Sequence, residues 1–137
     1  MKVRKILMAC CFTLVSSVAV AGLTQPAAVE VDLDNFMASG DMRTARNAKD
    51  NDVFIGCGVR TLVGGVDPFY FGFCQAEEAE GDAIVCTTTN EDLLFAMNAT
   101  ADNSFITFSW VETGLGDLEC SRIGFSTQSF YLPKTGK

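Results

Sequence analysis

The sequence predicts a mainly β domain, a small antiparallel sheet or barrel of about five to six strands with one short helix and two disulfides. Three observations support this class. After residue 53, apolar and polar residues alternate with a period of two in several stretches, as in strands that are buried on one face. One stretch that follows Asn90 carries helix signals. Four cysteines follow the export signal, an even number that can pair completely.

Residues 1–21 have the three parts of a cleavable secretory signal, in a style that is typical of bacteria. Lys2, Arg4 and Lys5 give a positive start, and an apolar run follows. The run ends at Ala19-Val20-Ala21, with small residues at the two positions that a signal peptidase reads. We therefore expect residues 22–137 to be exported to the periplasm, the cell surface or the medium.

Two alternatives to a cleaved signal stay open. The first is a membrane-spanning helix, but the apolar run is about 16 residues, shorter than the roughly 20 that a span needs. The second is a lipid anchor on Cys10 or Cys11, because the preceding residues loosely resemble a lipobox. No other apolar stretch is long enough to span a membrane, so we expect no integral membrane segment after cleavage.

The exported chain is strongly acidic. Removing the signal takes three of the 10 basic residues and none of the 17 acidic ones, which leaves seven against 17 and a net charge of −10. Such a charge repels nucleic acid and anionic membrane surfaces. It suits a basic protein or envelope partner, or it serves solubility alone.

Residues 22–52 differ in composition from the rest and predict a partly ordered N-terminal arm. Residues 29–33 alternate and indicate a short strand. Residues 34–37 indicate the start of a helix that Gly40 ends early. The polar stretch 42–52 indicates a helical turn or an ordered loop.

Residues 53–133 predict the disulfide-linked β domain, and residues 134–137 a basic tail. Gly64-Gly65 and the acidic stretch 77–82 are the turn signals between the first three strands. The alternation predicts strands over residues 53–60, 69–74, 83–88, 103–112 and 118–125, with a last short strand at 129–132.

One helix of about 8–10 residues is predicted between the third and fourth of these strands. Asn90 has the side chain of an N-cap, and Glu91 and Asp92 place carboxylates in the first turn, where they complement the helix dipole. We expect the helix to end near Thr100.

The four exported cysteines, Cys57, Cys74, Cys86 and Cys120, allow three disulfide pairings. The favoured one joins Cys74 to Cys86 across a hairpin centred on Glu80, and Cys57 to Cys120. In its rival, Cys57 faces Cys74 across a hairpin that turns between residues 65 and 66, which leaves Cys86 for Cys120. No two cysteines form a C-x-x-C pair and histidine is absent from the sequence, so we predict no metal site.

The missing histidine also excludes a Ser-His-Asp triad and a Cys-His pair. Catalysis by paired carboxylates stays possible, with Asp32/Asp34, Asp50/Asp52 and the acidic turn as candidates. Since acidic residues in turns usually only meet solvent, we predict that the chain is not an enzyme and needs no cofactor.

Five residues are candidate contacts for a partner or a cation. Four are the acidic residues of the predicted turn, Glu77, Glu78, Glu80 and Asp82. The fifth is Tyr70, in a strand whose two faces both carry rings. Either Tyr70 is exposed opposite the core, or the strand is covered on both faces.

Short segments of the chain together resemble a group of small exported bacterial proteins with four cysteines and no assigned activity. The resemblance covers about residues 42–133 and implies export, two disulfides and a compact β domain, but no site residue. It is carried by Ala45-Arg46-Asn47, Ile55-Gly56-Cys57, Cys74, Cys86-Thr87-Thr88, residues 104–108, Cys120 and Ser129-Phe130-Tyr131.

These observations favour an exported, non-catalytic domain that acts by binding or as a component of the cell envelope. One alternative is an inhibitor of a secreted hydrolase, a protease or a lysozyme, which enters its active site with a rigid loop at 77–82 or 113–117. The second alternative is a carboxylate-dependent hydrolase.

Overall fold

A computed structural model describes residues 23–114 and 116–134; the predicted signal and the end of the predicted tail lie outside them. The predicted class is confirmed: the chain is mainly β, with two disulfides. The strands are β1 (Glu30–Asp32), β2 (Met37–Asp41), β3 (Phe54–Leu62), β4 (Phe69–Glu77), β5 (Ala83–Thr88), β6 (Phe105–Glu112) and β7 (Leu118–Ser126). The helices are α1 (Met42–Arg46), α2 (Glu91–Asn98) and a 3₁₀ helix (Ser129–Tyr131).

All seven strands form one sheet in the order β1-β2-β6-β7-β5-β4-β3. Every neighbouring pair is antiparallel except β5 and β7, which are parallel. A parallel pair needs a crossover connection, and here α2 and β6 lie in that connection. After β5 the chain therefore passes through α2 and β6, and β7 then lies beside β5 in the sheet.

The segment predicted as a partly ordered arm supplies β1, β2 and α1. The short strand is found as β1, but the helix start predicted at residues 34–37 is wrong. The Asp32 carboxylate accepts hydrogen bonds from the Asn35 backbone (2.9 Å) and the Asn35 side chain (2.7 Å), which closes a turn. Such local bonds compete with a helix. Phe36 then takes a positive φ of 54°, and β2 pairs with β6.

Asp41 is a buried carboxylate that fixes the start of α1. Its Oδ1 accepts from the Thr44 backbone at 2.7 Å, which is the bond of a helix N-cap. Its Oδ2 accepts from the Ala27 backbone at 2.6 Å and from the Thr44 hydroxyl at 2.5 Å. One side chain therefore joins the N-terminal segment, the end of β2 and α1.

The predicted helix after Asn90 is present as α2. The Asn90 side-chain oxygen accepts from the backbones of Asp92 and Leu93, at 3.0 and 3.2 Å. The short strand predicted at 129–132 is wrong. That segment is a 3₁₀ helix, and it places the ring of Tyr131 in a stack on Phe105 with the ring centroids 5.8 Å apart.

The sheet is strongly curved, and its concave face, which carries the core residues, is called the inner face. Strands that are not neighbours in the sheet come into contact, β1 with β4 and β2 with β3. Helix α2 packs with one side against the inner face of the sheet, where its buried Met97 lies on Gly72, while its other side is exposed. A Cβ built on Gly72 would lie 2.3 Å from the Met97 sulfur, so glycine permits this close approach. Ile106, Phe108 and Trp110 of β6 complete the centre of the core.

The cysteines form a row across four neighbouring strands, and the favoured pairing is wrong. The bonds are Cys57–Cys74 and Cys86–Cys120, as in the rival. The predicted hairpin register is correct, because Cys74 lies opposite Cys86, but Cys74 also lies opposite Cys57. Strand β7 lies beside β5 with Glu119 opposite Thr87, and the Cα atoms of the neighbouring Cys120 and Cys86 are 5.1 Å apart. Cys86 therefore bonds to Cys120, and Cys74 to Cys57.

In the part of the chain that the structure describes, no helix is both long and apolar enough to cross a membrane.

Candidate functional site

The predicted contact residues lie at opposite ends of strand β4 and cannot form one site. Tyr70 is the second residue of β4 and Glu77 is the last. Seven residues of extended chain separate them by about 23 Å. The two ends of β4 are therefore treated as two candidate surfaces.

The acidic turn, residues 77–82, is attached to the body of the domain by Glu78. The Glu78 carboxylate accepts a hydrogen bond from the Val31 backbone of β1 at 2.7 Å. Two backbone bonds close the turn, from Glu78 N–H to the Asp82 carbonyl and from Gly81 N–H to the Glu78 carbonyl, both 3.0 Å. One of the four predicted acidic contacts is thus engaged in holding β1.

The structure brings a second acidic segment to this turn. Glu78 and Asp82 line a cavity of about 420 Å³ together with Glu30 and Asp32 of β1 and Asp34 of the β1–β2 connection. Sequence reasoning named both segments separately, but nothing in the sequence indicates that they meet. We call this region the acidic end.

The side-chain and backbone hydrogen bonds from Asn35 lower the pKa of Asp32 below its ordinary value. Within residues 23–114 and 116–134, no group of three or more carboxylates, histidines or cysteines is arranged to hold a metal ion. The acidic end supplies carboxylates, which can attract cations or a basic protein. Hydrolysis by these carboxylates stays a prediction that no further observation favours.

The opposite end of β4 is apolar and exposed. The turn between β3 and β4 and its flanking residues, 62–70, are called the hairpin tip. Val66 is 100% exposed and Val63 79% exposed. Leu62, Phe69 and Tyr70 are exposed as well.

The backbone of the hairpin tip turns at Gly64, whose φ of 149° favours glycine. Sequence reasoning identified Tyr70 but missed the two valines. The available signal was a Gly-Gly turn flanked by apolar instead of polar residues.

Strand β4 directs its core residues to the same face as Tyr70. Cys74 and Ala76 are fully buried on that face, whereas Phe69 and Phe71 lie on the outer face. Tyr70 is nevertheless half exposed, because the hairpin tip extends past the core. Its cross-strand neighbour Thr61 is exposed too.

A groove of about 560 Å³ lies beside the hairpin tip on the outer face. Phe69 and Phe71 line it, with ring centroids 6.1 Å apart. The rest of its lining comes from Thr87, Thr88, Thr89, Thr113, Asp117, Leu118 and Glu119. Apolar rings and a few polar groups are the usual lining of a binding groove.

The predicted inhibitory loop 113–117 forms one wall of this groove. It is closed by hydrogen bonds from Thr113 N–H to the Asp117 carbonyl at 2.8 Å and from Gly116 N–H to the Thr113 carbonyl at 3.0 Å. Leu115 lies outside the described residues. The loop is thus a short closed turn beside the groove, while the hairpin tip projects further from the core.

No family model, curated protein or solved structure matches this chain. The assignment of a function therefore depends on the chemistry of the two ends of β4.

Proposed function

We propose that the exported chain is a non-catalytic binding domain that contacts a protein partner through the hairpin tip. The observation that carries this proposal is the exposure of five apolar side chains at the end of one hairpin, Leu62, Val63, Val66, Phe69 and Tyr70. Large apolar side chains that are exposed together at one end of an exported protein favour an interaction site there.

Burial of these side chains against a partner would contribute favourable free energy to binding. Full burial of one large apolar side chain contributes about 1.5–3 kcal/mol. Phe69 and Tyr70 add aromatic rings, and aromatic anchors are enriched among the residues that dominate binding energy. Burial of five side chains of this kind would contribute a free energy of the same order as the cost of association.

The scaffold supports the tip. The Cys57–Cys74 disulfide joins β3 and β4 behind the tip, at directly opposed positions. Because the two strands cannot separate there, less conformational entropy is lost when a partner binds. The two disulfides also suit an oxidising compartment, which supports export to the periplasm, the cell surface or the medium.

The hairpin tip carries little charge, whereas the rest of the exported chain is strongly acidic. Asp67 is the one charged residue of the hairpin tip, whereas the exported chain as a whole has a net charge of −10. A partner with an apolar pocket and a basic rim would match both features. We therefore expect association to be faster at low salt.

Site-specific photo-crosslinking tests the proposal in the producing cell. A photoreactive residue at Val66 should give a discrete adduct with one protein, and Val66→Asp in the same hairpin should weaken binding of that protein. The matched control is the same photoreactive residue at Gln128, which is also exposed but lies away from the tip. Equal adducts at both positions, or none at Val66, would contradict the proposal.

Inhibition of a secreted hydrolase is the second candidate, favoured by one observation. The hairpin tip is a projecting apolar turn closed by a disulfide, and such a turn can enter an active-site cleft with little loss of entropy. The tip is better placed for this than loop 77–82, since Glu78 holds that loop to β1. Loop 113–117 is a wall of the groove instead of a projection.

A panel of secreted proteases and lysozymes, assayed at low and high salt, separates this candidate from simple binding. Inhibition by the wild-type chain that Val66→Asp removes, while Glu80→Ala retains it, would support an inhibitor. Inhibition lost with Glu80→Ala but kept with Val66→Asp would assign the effect to the acidic end and contradict a tip-based inhibitor.

A further inference from the structure

Strand β3 is one edge of the sheet, and among the described residues no strand pairs with its outer side, although α1, α2 and β2 each contact parts of β3. In the sheet order β3 stands last, with β4 as its neighbour. The other edge, β1, has three residues, whereas β3 has nine. A long edge strand presents a row of N–H and C=O groups that can pair with another strand.

The disulfide identifies which residues of β3 point to the free edge. The Cα atoms of Cys57 and Cys74 are 4.0 Å apart. Opposed residues of an antiparallel pair are about 4.5 Å apart when they are not hydrogen-bonded to each other and about 5.5 Å when they are. Cys57 is therefore a non-hydrogen-bonded position, and its N–H and C=O point away from β4. By alternation the same holds for Val59 and Thr61.

A side-chain contact agrees with this assignment. The Val59 carbonyl accepts a hydrogen bond from the guanidinium of Arg60 at 3.3 Å, as expected of a carbonyl that lies outside the β3–β4 ladder. Among the residues that the structure describes, no other backbone hydrogen bond outside that ladder involves Cys57, Val59 or Thr61. Three N–H donors and the carbonyls of Cys57 and Thr61 are thus free for a further strand, and the Val59 carbonyl, which Arg60 already contacts, has a second lone pair for it.

Strand β3 lacks three of the features that commonly protect the edge of a sheet. Edge strands are commonly blunted by proline, a bulge or several charged side chains. Residues 53–66 contain no proline and one charged residue, Arg60. The pairing of β3 with β4 is continuous from Phe54 to Leu62, without a bulge.

We propose that two copies of this chain pair through their β3 strands, antiparallel and about a twofold axis at Val59. In this register Val59 lies opposite the partner's Val59, and Cys57 lies opposite the partner's Thr61. Cys57, Val59 and Thr61 of each copy are then used, which gives six backbone hydrogen bonds, while the buried Ile55, which alternation also points outward, stays outside the pairing. The two curled sheets become one continuous sheet.

The outer face of β3 is self-complementary in this register, which favours a second copy over an unrelated strand. Gly56 and Gly58 precede the axis on this face, and Arg60 and Leu62 follow it. Leu62 therefore lies opposite the partner's Gly56, and Arg60 lies opposite the partner's Gly58. A twofold interface needs such a match of one surface with itself.

The space required by the match is present at Gly56. A Cβ built on Gly56 meets no other atom within 4 Å, so the position can receive the partner's Leu62. Leu62 is itself exposed in the single chain. Each Arg60 stays over its own Phe73 ring, with the guanidinium carbon 4.7 Å from the ring centroid.

Charge also favours this edge over other parts of the surface. Two chains of net charge −10 repel each other, but residues 53–66 contain no carboxylate. Contact through β3 keeps the acidic residues of both copies away from the interface. Because salt screens the remaining repulsion, the dimer should become more stable as the salt concentration rises.

Sedimentation velocity of the disulfide-bonded exported chain over a range of concentrations tests the proposal. The wild-type chain should shift from monomer to dimer as concentration rises, more readily at high salt. Gly56→Glu places a charged side chain where the partner's Leu62 would lie and should weaken dimerisation by at least about tenfold. Gly114→Glu is the matched control, since Gly114 also has no atom within 4 Å of a built Cβ but lies in the β6–β7 loop.

Amide hydrogen exchange gives a residue-specific readout. The amides of Cys57, Val59 and Thr61 should exchange fast in dilute solution and slowly in concentrated solution. Those of Gly58 and Arg60, which face β4, should be slow in both. If Gly56→Glu lowers the melting temperature, Leu62→Glu serves in its place, because its side chain is exposed in the monomer.

Three results would overturn the proposal. They are a wild-type chain that stays monomeric at its solubility limit, a dimer that Gly56→Glu and Leu62→Glu leave unchanged, and protection of the three amides only when a foreign extended peptide is added. Leu62 belongs to both surfaces, but Val66 lies outside the paired residues of β3. The crosslink at Val66 therefore reports the partner of the hairpin tip, whereas sedimentation and the three amides report the dimer.

Discussion

The two ends of β4 differ in what holds them. At the acidic end, Glu78 bonds to the backbone of β1, and two backbone bonds close the turn. At the hairpin tip, Val63 and Val66 are almost wholly exposed. The charged turn, which the sequence indicates as a candidate contact, partly serves to hold β1 through the hydrogen bond to Glu78. The apolar turn, which the sequence marks only as a turn, has the better surface for a partner.

This contrast follows from the curl of the sheet. The contact between β1 and β4 brings the N-terminal strand to the acidic end of β4, where Glu78 can meet it. The start of β4 lies beyond the core, beside the exposed Thr61 of β3. One end of the strand is therefore enclosed by the fold, and the other end is left to solvent or a partner.

The largest expected effect is a loss of stability when the disulfides between the two ends of β4 are removed. Replacing Cys86 and Cys120 with alanine should lower the free energy of unfolding by about 4 kcal/mol, and replacing Cys57 and Cys74 by about 3 kcal/mol. The difference arises because the first bond spans 34 residues of chain and the second 17. Denaturant unfolding measures both.

The same pair of variants separates the two ends. Loss of Cys57–Cys74 should speed amide exchange in the hairpin, residues 58–73, and leave the acidic turn unchanged. A larger loss of stability from this variant than from the loss of Cys86–Cys120 would show that the chain-entropy argument does not govern this domain.

The second effect concerns the joint at the acidic end. Glu78→Ala should lower the free energy of unfolding by about 1.5–3 kcal/mol, because it removes a hydrogen bond between a carboxylate and the Val31 backbone. Glu80→Ala removes the same charge from the same turn at an exposed position, and should change stability by less than about 0.5 kcal/mol. Equal effects would indicate that Glu78 acts through charge alone.

The third prediction is that a substitution at the hairpin tip hardly changes the free energy of unfolding. Val66→Asp should change the free energy of unfolding by less than about 0.5 kcal/mol, since the wild-type side chain is fully exposed. Thermal unfolding with the unmodified chain as reference measures it. A loss greater than about 1 kcal/mol would mean that the tip packs against the domain and that its exposure is no sign of a partner.

The smallest effect is the titration of Asp32 at the acidic end. Asn35→Ala removes the side-chain hydrogen bond to the carboxylate and should raise the pKa of Asp32 toward its ordinary value. Because the pKa in the folded chain is lowered, the stabilising contribution of ionised Asp32 is present above its unfolded pKa and is lost as pH falls through the folded pKa. NMR titration of the carboxyl carbon measures the shift, with Thr127→Ala as the control. An unchanged pKa in Asn35→Ala would assign the shift to the backbone.

Several elements could be predicted because their signals are local. The β class, the hairpin register around residue 80, and the helix with its Asn90 cap follow from alternation and capping residues a few positions apart. The register around residue 65 was predicted only as part of the rival disulfide pairing. The predictions were wrong where tertiary contacts determine the secondary structure of a segment. Residues 34–37 form a turn and the start of β2 because β6 offers an edge for pairing, and residues 129–132 form a 3₁₀ helix whose Tyr131 stacks on Phe105.

The candidate site follows the same division. Tyr70 and the acidic residues 77–82 are visible in the sequence as residue types. Their separation by the length of β4 follows once the strand is known. The exposure of Val63 and Val66 could not be predicted, because an apolar residue in a turn is equally consistent with burial beneath another segment.

The sequence by itself determined the strands from β3 to β7, the cap of α2 and the number of disulfides, since each depends on residues that are close along the chain. Only the tertiary structure decided the disulfide partners and the two surfaces at the ends of β4. Cys74 faces a cysteine on each side, so its choice depended on β7 lying beside β5 after a crossover through α2 and β6. The joint between Glu78 and Val31, 47 residues apart, likewise exists only because the sheet curls.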